Sequence, residues 1–148
     1  MKVLDPLAFA VAACRTVAPD DVEVVTSADV DAAERMPLAV VQTTSPSSVR
    51  NGPIAAAANL VISVAVYDDG PDDARASEVS RAMFAGLVDA WRNHTPIAHG
   101  QFVHIGNDSQ MPSRFPARLE ADNVHRWDFT IRTVVRPCLL YTSDAADE

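Results

Sequence analysis

Three histidines, His94, His99 and His104, recur every five residues. A helical zinc site needs two histidines four apart, and finger patterns have their own spacing; an interval of five fits neither. These side chains are therefore expected at or near the surface, without a metal. The stretch "YDDGPDD" gathers four carboxylates, Asp68, Asp69, Asp72 and Asp73. It lacks the alternating acids and closing glutamate of a calcium loop, so its aspartates are expected to cap a helix. Cys14 falls on an apolar helical stripe, where a thiol is inert, and no G-x-S-x-G elbow is present. Five glycines form no phosphate-cradling loop, and two cysteines make neither a metal-ligand pair nor a disulfide framework. Asn93-His94-Thr95 is a glycosylation sequon with no secretory signal ahead of it. The residues thus predict no catalytic site, no metal and no cofactor, and turn attention to interaction surfaces. The competing reading is a small intracellular enzyme or ligand-binding domain built on His94, His99, His104 and the Asp68–Asp73 region.

The totals suit one folded domain. There are 148 residues, 48% hydrophobic and 22% charged. No apolar run approaches the roughly 20 residues that span a bilayer, so no membrane partner is expected. The net charge of -8, with one lysine among twelve basic residues, excludes a surface that coats nucleic acid.

Periodicity supplies the elements. Asp5-Pro6 opens a helix that runs to Thr16 or Val17, before Pro19. Residues 22–27 and 37–44 read as strands. Ser45 to Asn59 carries Pro, Ser and Asn-Gly and reads as one long loop. The next strand alternates Leu60, Ile62, Val64 and Val66 against Val61, Ser63, Ala65 and Tyr67, with both faces expected to be partly covered. A helix opening near Pro71 repeats Val79, Met83, Leu87 and Trp91. A short strand "QFVHI", a polar turn and a loop-like "SRFPARLEADNV" follow. The closing strand sets Trp127, Phe129, Ile131, Thr133 and Val135 on one face. The fold class predicted is α+β: a mixed, mainly antiparallel sheet with two packed helices in a single domain.

In this order, "LAFAVAACRTV", "NLVISVAVYDDGPDDARASEVSRAMFAGLVDAW" and "HRWDFTIRTVVRP" resemble the tail-terminator (minor tail, tail-completion) proteins of long-tailed bacteriophages. The closing strand carries the likeness through Trp127, Phe129, Ile131 and Arg136, approached through "PSRFPARLEADNVHR". The resemblance covers residues 5 to 137; "ADVDAAERMP" departs from it. It implies a non-enzymatic virion protein, assembled in the host cytoplasm and located in the virion tail. Such proteins form a hexameric ring that caps the tail tube, stops its polymerisation and joins it to the head-tail connector protein. The partners expected are copies of the chain, the tail tube protein and the connector; DNA passes through without tight binding. Strand edges and the Ser45 to Asn59 loop are expected to supply contacts, with Arg50, Asn51 and Ile54 as subunit-interface candidates.

Residues 138–148, "CLLYTSDAADE", resemble a translated sequencing adapter. The expectation is a native domain over 1–137 and a non-native tail. Leaving out Asp144, Asp147 and Glu148 gives 17 acidic against 12 basic residues, a net charge of -5.

Overall fold

A computed structural model describes residues 4–27, 36–44, 48–50, 57–115 and 124–137. Helix α1 spans Pro6–Val17. Asp5 caps it, its Oδ1 accepting from the Ala8 amide at 3.1 Å, and Pro6 takes the first helical position, where an amide would have no partner. The helix ends at Ala18, just before Pro19. Helix α2 spans Ala74–Arg92 and begins three residues later than Pro71 suggests. Asp73 is its N-cap by position, but its side chain serves another partner, described below; Asp72 accepts from the Ala74 amide instead.

The strands are β1 (Glu23–Val25), β2 (Leu38–Thr43), β3 (Ser48–Arg50), β4 (Ala57–Asp68), β5 (Gly100–Ile105), β6 (Gln110–Arg114) and β7 (His125–Pro137). They form one mixed sheet of order β1-β2-β4-β7-β5, with β3 also on β4 and β6 also on β7. Among the described residues only β1 with β2 is parallel; every other strand pairing is antiparallel. The α+β single-domain architecture agrees with the sequence.

Two partners of the long central strands are interrupted. Leu38–Thr43 pairs with Ile62–Tyr67, and Ser48–Arg50 then resumes on Ala57–Asn59. The same occurs on β7: β5 covers its C-terminal half and β6 its N-terminal half. This corrects the expected loop from Ser45 to Asn59. Within it Ser48–Arg50 and Ala57–Asn59 are strand, and Arg50 lies opposite Ala57. Asn51 and Ile54 lie outside the described residues, as do 138–148. The second correction is β6, which the sequence reading leaves as turn and loop.

Both helices pack on one face. Leu60, Ile62, Val64 and Val66 of β4 are at most 3% exposed and meet Val79, Met83 and Leu87 of α2, all at 0%. Phe9 of α1 meets Phe102 of β5 edge-on at 5.1 Å, and Phe84 of α2 meets Phe129 at 5.5 Å. Trp91 is only half-buried, at the margin of this core. Gly86 lets α2 approach α1, since a Cβ there would lie 2.7 Å from Val17 Cβ.

One turn stores backbone strain. Ile97 and Gly100 exchange two hydrogen bonds of 2.8 Å around Ala98 and His99, whose φ angles are 45° and 67°. Two positive φ values in a two-residue connection define a type I′ turn, which favours Asn or Gly over Ala. Ala98→Asn is expected to raise the unfolding free energy by about 0.5–1 kcal/mol. The check is a denaturant midpoint that rises with unchanged slope.

Candidate interaction surface

The opposite face of the sheet carries no described helix. Asn59, Val61, Ser63, Ala65 and Tyr67 of β4 lie beside Val134, Arg132, Thr130, Asp128 and Arg126 of β7. Val61, Ala65 and Tyr67 on this face are half-buried, so both faces of β4 are partly covered, with described helices on one face only. Ser63, at the middle of the central strand, is exposed, as is Gln42 opposite it.

Two arginines organise this face. The Arg126 guanidinium makes a two-pronged bond to Asp128, Nε to Oδ1 at 2.8 Å and Nη2 to Oδ2 at 2.9 Å. It also lies 3.9 Å from the Phe115 ring centroid and 5.5 Å from that of Tyr67. The hydrogen bonds to Asp128 push its pKa further above the ordinary arginine value. Arg132, at the other end, lies 3.6 Å from Asp108, beyond hydrogen-bond reach.

The acidic turn is spent on architecture. Asp68 is buried and accepts from the Gly70 amide at 3.0 Å, while His125 Nε2 meets the Gly70 carbonyl at 3.1 Å. The Trp127 indole N–H donates to Asp73 Oδ2 at 3.0 Å. That bond, helped by Arg114 at 3.8 Å, holds the Asp73 carboxyl below the usual carboxylate range. Burial pushes the Cys14 thiol up to about 12, so little thiolate forms near neutral pH.

The histidines follow different neighbours. His94 and His99 belong to the exposed connection after α2, where the His94 carbonyl accepts from Gln101. His104 lies on β5, its ring edge-on to Trp91 at 5.9 Å. Among the described residues, no group of three or more His, Cys, Asp or Glu side chains could hold a metal ion. No described helix is long and apolar enough to cross a membrane.

The margins of the sheet are blunted against strand addition. The Arg15 guanidinium donates to the Val24 carbonyl of β1 at 3.2 Å. On the other side, the Trp91 indole donates to the Val103 carbonyl of β5 at 3.2 Å, and Pro112 offers no amide in β6. Edge contacts of the kind expected from the sequence would therefore use side chains more than backbone. Val103, Met111 and Phe115, three exposed large apolar residues, lie along this second margin.

No protein-family model matches the chain, and no curated protein matches it. Among solved structures, it is similar to a chain of the virion of a native gene transfer agent particle. The identity is 18%, the match covers 85% of this chain and 84% of that one, and the TM-score is 0.42.

Proposed function

We propose that the chain is a non-enzymatic structural component of a phage-type virion: a tail-terminator ring that caps the tail tube, stops its polymerisation and joins it to the head connector. The observation that carries this reading is the order and texture of the elements. Helix α1, the short strands β1 to β3, the long β4, the acidic turn, the alanine-containing α2, β5, β6 and the closing β7 come in the order that supports the tail-terminator resemblance. Trp127, Phe129 and Ile131 lie on one face of β7, as that resemblance requires.

The chemistry is consistent with a role in assembly. The acidic turn is engaged in holding α2 to β7, and the buried Cys14 thiol is poorly ionised. A closed ring needs two different surfaces of each subunit to meet. The β3–β4 region, with Arg50 in β3, is the interface candidate on this reading, and Asn51 and Ile54, which follow it in the sequence, are the further candidates. With acids outnumbering bases, duplex DNA would pass such a ring without being held. The test is the mass of the purified protein, alone and with tail tube protein, together with micrographs of capped tubes. On this reading Arg50→Glu weakens association and leaves the monomer folded.

A further inference from the structure

The face without a described helix holds a hollow of about 550 Å³ between the β5–β6 turn and Thr44, just past the end of β2. Its polar lining comes from Arg132, His104, Asn107 and Asp108, with Thr44 and Asn59 at the side. The backbone around Arg132 is fixed: its carbonyl accepts from the Gly106 amide at 2.7 Å, and its amide donates to Ser109 Oγ at 2.9 Å. Ser109 in turn donates its amide to the Gly106 carbonyl, closing the turn.

His104 is fixed in a second way. The pairing of β5 with β7 shifts register between Phe102 and His104, and a bulge of this kind re-aims side chains. Thr133 Oγ1 donates to the His104 carbonyl, and the Trp91 indole to that of Val103, so both carbonyls at the bulge have partners. The irregularity is therefore built into the fold, and it places an imidazole on the same hollow as a guanidinium.

We propose that this hollow is a binding site for a phosphate group. A guanidinium offers several donors in one plane, and an imidazole and a side-chain amide add donors from other directions. Convergent donors of that kind suit a tetrahedral oxyanion. Asp108 is the resident counter-charge: at 3.6 Å it neutralises Arg132 without a hydrogen bond, and an incoming phosphate competes with it. A single such contact beside an acid gives weak, salt-sensitive binding. It thus agrees with a surface that nucleic acid passes without sticking. The hollow exists within one chain, so the site stands or falls independently of ring assembly.

The test follows amide and indole N–H shifts of the ¹⁵N-labelled protein as inorganic phosphate, dAMP or a short single-stranded oligodeoxynucleotide is added, with chloride at matched ionic strength as control. Saturable shifts at Gly106, Asn107, Asp108 and the Trp91 indole are expected, with millimolar affinity. Arg132→Gln should weaken binding about tenfold or more, Asp108→Asn should tighten it, and Arg126→Gln should leave it unchanged. Saturation by phosphate and dAMP assigns a phosphate monoester; saturation by the oligonucleotide alone assigns a phosphodiester. No saturation by any of the three overturns the site, and so does equal binding by Arg132→Gln. Should Arg132→Gln not fold, Asp108→Asn decides alone: unchanged affinity overturns the proposal.

Discussion

Leu87→Ala will lower the unfolding free energy by about 2–5 kcal/mol, the range for removing a fully buried leucine. Leu87 is 0% exposed, on the same stripe as Val79 and Met83, and faces the aliphatic row of β4. Alanine removes three carbons from that contact, and the cavity left behind adds to the lost transfer free energy. The helix is not otherwise penalised, because alanine has the higher helix propensity. The loss therefore reports packing. Chemical denaturation measures it directly, and a change below about 1 kcal/mol would contradict the burial of this stripe.

Gly86→Ala is the second large effect, and its sign is opposite to that of an ordinary helical glycine. In an open helix this substitution stabilises by about 1 kcal/mol. Here the new Cβ would meet Val17 Cβ at 2.7 Å and Cγ1 at 2.8 Å, closer than carbon atoms approach without displacement. The two helices must separate, and overpacking of this sort costs about 1–3 kcal/mol. Val17→Ala in the same chain removes Cγ1 and should recover part of the loss. The coupling in this double-mutant cycle identifies the helix crossing as the cause. A stabilising Gly86→Ala would mean that α1 does not cross α2 at this point.

The Leu87 effect belongs to the part of the fold that is legible in the residues, whereas the approach of Gly86 to Val17 depends on how the two helices cross. Val79, Met83 and Leu87 announce a helix face, and the alternation through β4 and β7 announces strands, because each pattern has one surface to bury. The short strands could not be read this way. β3 has three residues and sits in a stretch whose serines, prolines and glycine signal a loop, although Asn51-Gly52 is also a hairpin signal. β6, "QMPSR", includes a proline and has no buried residue; it is a strand because β7 continues past the end of β5 and offers backbone partners. Neighbours decide such segments, and a local pattern does not contain its neighbours.

The site chemistry was legible in a different measure. Of the aspartates of 68–73 expected to cap the helix, Asp72 accepts from the Ala74 amide, Asp68 binds the Gly70 amide within the turn, and Asp73 is spent on the Trp127 indole, 54 residues away, which no local motif encodes. The Arg126 stack on Phe115 and Tyr67 likewise depends on strand register. So does the hollow at Arg132, where the decisive features are a bulge at His104 and a turn closed on the backbone of β7. Sequence alone offers "GND" as a turn signal there, with nothing to show which strand it faces.

The proposal that the chain forms a terminating ring is tested most directly by native mass measurement and electron microscopy of the purified protein, with and without residues 138–148, in the presence of the tail tube protein encoded beside it. The account predicts a closed ring, six-fold by the resemblance, seated on one end of each tube and limiting tube length. A chain that stays monomeric at high concentration and leaves tube growth unchanged would contradict it.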